Sequence, residues 1–213
     1  MDAMDRYIKR LSDKGSNPNE AKLNNSKRTF NEQFTSSPSY VIVKVDGLDT
    51  DSIVTQDNQY DEKIINFRSD SNINIGSVID YKSQNYLLLS FFDNEIFPKG
   101  KMKLCNSTYP LPSEITRTIK DYNQFGEPIY TETVGEPTLL PCIVETTITS
   151  DNSDEAINLP TGQIQITIPF TEHEAIGNGV NFFMYGSEYE TIGIDYTKSI
   201  NGVGLLVIKG KKV

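Results

Sequence analysis

The chain carries one pattern of strands and turns twice, 103 residues apart, and that duplication limits what it can fold into. Pro38-Ser39-Tyr40-Val41-Ile42-Val43 aligns with Pro141-Cys142-Ile143-Val144-Glu145-Thr146. Ile65 and Phe67 then fall on Ile168 and Phe170, Gly76 on Gly179, Ser83 on Gly186 and Tyr86 on Tyr189. Leu89 falls on Ile192, Phe91 on Ile194 and Leu104 on Val207, without a gap. The match lies in apolar positions and turn residues rather than in letters. Two copies are too few for a solenoid, which needs about three or more units to bury a continuous core. The expected fold is therefore mainly β: two tandem small β-barrel or sandwich modules related by an internal repeat. Each copy, at about 70–100 residues, is long enough to enclose a core of its own.

Along the chain the pattern predicts four parts: a helical arm over 1–34, a first β-module over 35–107, a linker with a protruding hairpin over 108–140, and a second β-module over 141–213. Asp5 to Leu11 is a short amphipathic stretch broken by Asp13-Lys14-Gly15. Asn17-Pro18-Asn19-Glu20 then reads as a helix start, with Asn17 as the cap and Pro18 at the first helical position. Leu23, Phe30 and Phe34 form one apolar stripe, and Lys22, Lys27 and Arg28 take the other faces. With so few apolar residues this helical pair must dock on the β-body or on a neighbouring subunit.

After Pro38 the period changes to 2. Strands are expected at Tyr40–Val45, Glu62–Phe67, Val78–Tyr81, Tyr86–Phe92 and Lys101–Cys105, with turns at Asp46-Gly47 and Lys82–Asn85. In the linker, Ile115–Tyr122 and Pro128–Val134 flank Asn123-Gln124-Phe125-Gly126-Glu127, the expected tip of the hairpin. The second module shows a loop at Asp151–Asp154, a clean alternating strand over Gly162–Phe170, and a closing strand over Val203–Lys209.

Charge is unevenly placed. Residues 1–34 hold seven Lys/Arg and five Asp/Glu, net +2, whereas the other 179 hold thirteen and twenty-four, net −11. A body this acidic is a poor grip for nucleic acid, whose binding depends on neutralised phosphates. No apolar run approaches the roughly 20 residues that span a bilayer, and Met1–Arg6 lacks the apolar core of a secretion signal. The protein is expected to be made in the cytoplasm, with Cys105 and Cys142 as reduced thiols.

Patterns for catalysis are missing. His173 is the single histidine, which leaves no His cluster for a metal and no base for a Ser/His/Asp triad. No Cys-x-x-Cys, phosphate-binding loop or dinucleotide fingerprint occurs. Asp151, Asp154 and Glu155 lack calcium-loop spacing. No catalytic residue, metal or cofactor is expected.

Several local patterns resemble the minor virion proteins of tailed phages that infect Gram-positive bacteria, encoded among their head–tail genes. They are Asp5–Leu11, Asn24–Phe30, Ser36–Tyr40, Ile75–Val78, Tyr86–Leu89, Asp93–Phe97, Lys103–Asn106 and Leu140–Glu145. Tyr86 stands where such proteins usually have a Trp. Tyr189 to Ile208 resembles the small β-barrels of head-closure and stopper proteins.

The resemblance implies a non-enzymatic head–tail connector or neck component of the virion, assembled as a homo-oligomeric ring. Its partners would be further copies of itself, the neighbouring portal or adaptor and tail proteins, and DNA passing through the lumen without specific binding. No membrane partner is implied. The residues expected at assembly interfaces are Tyr7, Arg10, Leu23, Lys27, Arg28, Phe30, Phe34 and Phe125. Acidic walls would let DNA slide, unless those residues face outward in the ring. Deleting residues 1–34 is expected to leave two folded β-modules that no longer assemble.

The competing reading is a tail or baseplate component with carbohydrate-binding β-domains, for which Tyr122, Phe125, Tyr130, Phe182, Phe183 and Tyr185 are candidate stacking residues. A glycan-cleaving enzyme is the third.

Overall fold

A computed structural model describes Met4, Tyr7 and residues 17–69, 71–112, 115–134, 137–149 and 156–213. Apart from Tyr7, the expected first amphipathic stretch lies outside the described residues, as do Arg10 and the expected loop at 151–154. The chain divides into two compact units, Met1–Leu104 and Cys105–Val213.

The first unit opens with helix α1 (Pro18–Phe34), which begins where its capping residues dictate. Asn17 is extended, and its Oδ1 accepts from the Asn19 and Glu20 amides at 3.1 and 2.9 Å. That satisfies two of the donors a helix start leaves unpaired, and Pro18 removes a third. Six antiparallel strands follow: β1 (Tyr40–Val45), β2 (Leu48–Gln56), β3 (Glu62–Phe67), β4 (Val78–Tyr81), β5 (Gln84–Phe92) and β6 (Lys99–Leu104). They close into a barrel in the order β1-β2-β3-β6-β5-β4, sealed where Val45 of β1 lies beside Ile79 of β4. Alternate side chains point inward, so Val43, Val45, Val54, Ile65, Phe67, Ile79, Tyr86, Leu88 and Met102 fill one core.

The second unit is built on a sheet of seven strands. β7 (Ser107–Leu111), β10 (Thr138–Glu145), β13 (Gln163–Pro169), β14 (Asn181–Met184), β15 (Ser187–Asp195) and β17 (Val203–Lys212) run in the order β14-β15-β17-β13-β10-β7. The short β16 (Ser199–Ile200) pairs with β17. Between β7 and β10 stands the hairpin of β8 (Ile115–Tyr122) and β9 (Pro128–Val134), and after β10 come β11 (Thr147–Thr149) and β12 (Ala156–Asn158). The two end strands of the main sheet face each other through Tyr109 on β7 and Phe182 on β14, rings 5.3 Å apart. This gives the second unit its barrel-like core of Tyr109, Cys142, Ile164, Ile166, Ile168, Phe182, Leu206 and Ile208 among others. Residues 108–111 and 138–140, expected in the linker, and Ser107, expected in the first module, are thus strand residues of the second unit.

The duplication is visible in the backbone. β4 and β5 at 78–81 and 84–92 recur as β14 and β15 at 181–184 and 187–195, offset by 103. The turns between them share positive φ at Lys82-Ser83 and at Tyr185-Gly186, the left-handed pair of a tight hairpin turn. Both fifth strands carry a bulge at the same place, between Leu88 and Ser90 and between Thr191 and Gly193. The approach loops match as well. The Gly76 amide donates to the Leu88 carbonyl at 2.9 Å, and the Gly179 amide to the Thr191 carbonyl at 2.8 Å.

The offset fails at the closing strand. Ile65 faces Gly100, but Ile168 faces Leu206, three positions beyond the ungapped equivalent. Against β15 the slip is five positions, since Leu88 faces Met102 but Thr191 faces Gly210, so the expected match of Leu104 with Val207 is not structural. On the other side of the shared strands the order also differs. β3 neighbours β2, whereas β13 neighbours β10 directly.

One substitution between the copies leaves a measurable trace. Where the first unit buries Leu88, the second buries Thr191 at 2% exposure, and its Oγ1 has no hydrogen-bond partner. A desolvated hydroxyl without a partner costs on the order of 1–3 kcal/mol. Thr191→Val keeps the shape and removes that cost, so it is expected to stabilise the second unit by about 1 kcal/mol. Thermal unfolding should rise by several degrees. An unchanged or lower midpoint would mean the hydroxyl is satisfied.

Candidate functional site

The residues expected at assembly interfaces separate into three places. On α1, the apolar stripe turns inward to its own barrel. Phe34 is only 1% exposed, with its ring edge-on to Phe30 at 5.4 Å and to Tyr40 at 6.2 Å. Phe30 also meets Phe97 at 6.2 Å, and Leu23 is half-buried. Polar contacts lock the same face. Arg68 stacks over Phe34 at 5.3 Å, donates to the Asn31 carbonyl at 3.2 Å, and pairs through Nε with Asp51 Oδ2 at 2.6 Å. The Tyr40 hydroxyl donates to the other Asp51 oxygen at 2.6 Å. That hydroxyl first, and the Arg68 guanidinium next, hold the Asp51 carboxyl below its ordinary pKa, and the same bond raises Tyr40.

The basic residues of the helix lie on the outer side. Lys27 pairs with Glu95 at 3.5 Å, and exposed Arg28 meets Glu32 at 3.8 Å and Asn25 at 3.2 Å. Tyr7 is helical and exposed. Deleting residues 1–34 therefore strips a core ring from the first unit. A truncation that tests the arm alone has to stop before Asn17.

The third place is the β8–β9 hairpin, a two-stranded sheet of its own between β7 and β10 in the chain: Leu111 faces Thr138 in the β7–β10 ladder, and Ile115 faces Val134 in the hairpin. Its tip is built around Asn123. The Oδ1 of Asn123 accepts from the Phe125 and Glu127 amides, both at 2.9 Å, and its Nδ2 donates to Glu127 Oε2 at 2.8 Å. The Asn123 amide donates to the Glu127 carbonyl at 2.8 Å, and Gly126 supplies a φ of +80°. The loop holds Phe125 outward at 80% exposure. Behind it Ile119 sits beside Tyr130 and Tyr122 beside Pro128, and Ile119, Tyr122, Ile129 and Tyr130 are all exposed. A lone two-stranded ribbon is marginal in water, and apolar residues on it favour a partner surface.

Of the six aromatic candidates for sugar stacking, Phe182 belongs to the core, stacked on Tyr189 at 5.8 Å. Tyr122, Phe125, Tyr130, Phe183 and Tyr185 are exposed. Sequence reading missed the role of Asn123, although an Asn three residues before a Gly is a turn signal. It also missed the Tyr40–Asp51–Arg68 set, whose members have no local pattern to betray them.

The remaining ionisable groups are structural in placement. Lys101 bridges Glu62 at 2.7 Å and Asp57 at 3.2 Å on the outside of the first barrel, and these bonds, Glu62 first, raise the Lys101 pKa. Burial pushes the Cys105 and Cys142 thiols up to about 12, which keeps them protonated and unreactive. His173 Nδ1 accepts from the Ala175 amide at 3.0 Å within its own loop. Among the described residues no three His, Cys, Asp or Glu gather as a metal site, and no helix is long and apolar enough to cross a membrane.

A family model described as the YomX C-terminal domain matches residues 63–211, and one described as the YomX N-terminal domain matches residues 14–104. The second match ends at the boundary of the first unit, while the first begins within β3. The SPbeta prophage-derived uncharacterized protein YomX of Bacillus subtilis (strain 168) is 34% identical over 140 residues, which cover 64% of this chain and 65% of that protein. No solved structure matches.

Proposed function

The chain belongs to the YomX family, and from that premise we propose that it is a non-enzymatic structural protein of a tailed-phage virion, a subunit of the head–tail connector or neck. The prophage origin of its Bacillus relative supports the phage setting. The observation that carries the structural role is the hairpin: a two-stranded sheet with an aromatic tip and exposed apolar residues that belong to neither core. Rigid presentation of exposed aromatics lowers the entropy cost of association and favours a protein partner. Identical subunits that meet through unlike patches close into rings when the rotation permits. The net charge of −9 fits a wall past which DNA moves without being held.

Native mass spectrometry and negative-stain electron microscopy of the purified full chain test the reading. The expected result is a closed ring of one discrete copy number, with no measurable binding to duplex DNA at physiological salt. A monomer at all concentrations that is retained on a glycan array would replace this reading with that of a carbohydrate-binding tail or baseplate component.

A further inference from the structure

We propose that an open groove on the first barrel receives the N-terminal segment Arg6-Tyr7-Ile8-Lys9-Arg10-Leu11 of a second copy of this chain. The groove encloses about 500 Å³ beside the β1–β2 turn and the 71–73 loop. Its apolar surface comes from Ile42, Leu48 and Ile73, the first two exposed. Its rim carries Asp46, Asp49 and Asp51 against a single cation, Arg68, for a net charge of −2. Arg68 is already committed to Asp51 and to the Asn31 carbonyl. Asp46 and Asp49 have no cationic partner among the described residues.

The segment offers what that surface lacks. Within six residues it carries three cations, no anion and three apolar side chains. Tyr7 in it is helical and 61% exposed. Charge complementarity of this kind steers encounter and fixes register.

Geometry favours a neighbour's groove over the segment's own. Arg68 touches the last turns of α1, at Asn31 and Phe34. Pro18, at the other end of the helix, lies about 20 Å from Asn31 at 1.5 Å per residue. The six residues from Leu11 to Asn17 span about 20 Å at full extension. The segment would have to double back along the whole helix, with the chain between drawn out to full extension, to reach its own groove. A second copy presents the same groove without that constraint, and the contact is heterologous, the kind that builds rings.

The inference rests on the assembly reading only for the meeting of copies, and its test separates the two. An equimolar mixture of unlabelled and ¹⁵N-labelled full chain is treated with a zero-length carbodiimide crosslinker and digested. Light–heavy crosslinks between Lys9 and Asp49 are expected. In sedimentation, Arg10→Glu and Asp49→Lys should each weaken association at least tenfold, and the double variant R10E/D49K should regain most of it. Asp49 is exposed, so D49K should keep the parent's thermal midpoint. Same-isotope crosslinks alone would place the segment in its own groove and overturn the proposal. Rings that form with no Lys9–Asp49 crosslink would overturn it and leave the ring standing. Monomers throughout would overturn both.

Discussion

Replacing Phe34 by alanine is expected to cost the first unit about 3–5 kcal/mol, the usual range for deleting a fully buried aromatic ring. The ring is 1% exposed and has more than apolar area at stake. It takes edge contacts from Phe30 and Tyr40, each pair of this kind adding about 0.5–1.5 kcal/mol beyond burial. It also supports the Arg68 guanidinium at 5.3 Å, and Arg68 in turn clamps Asp51 and the Asn31 carbonyl. Loss of the ring thus loosens the ion pair that ties the helix to the barrel. Small domains hold about 5–15 kcal/mol in all, so a large share of the unit's stability goes.

Urea unfolding followed by far-ultraviolet circular dichroism checks this, with the helical signal expected to fade before the sheet signal in the variant. Phe34→Leu should retain more than half of what alanine loses. Arg28→Ala serves as the surface control, since Arg28 is exposed and its pairing with Glu32 at 3.8 Å is worth under about 0.5 kcal/mol. A cost below about 1 kcal/mol for Phe34→Ala would show that the helix is not anchored there.

The strands that could be read from the sequence are those whose alternation is uninterrupted. β1, β3 and β4 begin and end where the apolar pattern and the Asp46-Gly47 turn place them. β2 was hidden because its two buried positions are Ser52 and Val54, set among Asp49, Asp51 and Thr50. Ser52 tolerates full burial because its hydroxyl donates to the Val41 carbonyl at 3.1 Å, a compensation that no local pattern announces. β7 reads as linker because Pro110 sits in it. The strand survives because it is the last of its sheet, where a residue without an N–H can turn its empty side outward. The short β16 is two residues long, too brief for any periodic signal, and it pairs back onto the start of the closing strand.

The candidate interface divides in the same way. The Leu23–Phe30–Phe34 stripe is plain in the sequence, and so is the need for it to dock. Its actual partners, Tyr40, Arg68 and Phe97, are scattered over the barrel and become neighbours only when the sheet closes. The hairpin needed no such closure. Its turn and both strands are local, which is why its position and its protruding Phe125 could be anticipated from residues 115–134 alone.

Excising that hairpin, with residues 113–136 replaced by an Asn-Gly turn, is expected to abolish the proposed ring assembly while leaving both units folded. The β7–β10 ladder pairs Leu111 with Thr138, so a two-residue turn can close it just beyond that pair. None of Ile119, Tyr122, Phe125, Ile129 or Tyr130 is a core residue, so thermal unfolding of the second unit should change little. The single substitution Phe125→Ala probes the tip. An aromatic anchor at the centre of an interface is worth on the order of 2 kcal/mol or more, which is about thirtyfold in the subunit dissociation constant. Asn123→Ala leaves the ring chemistry untouched and removes the three side-chain bonds that hold the loop, so it should weaken assembly by less than Phe125→Ala, through lost preorganisation. Sedimentation equilibrium on the three variants decides. Rings of unchanged stability after excision would mean that the exposed ribbon faces something other than a neighbouring subunit, and the connector reading would lose the feature on which it stands.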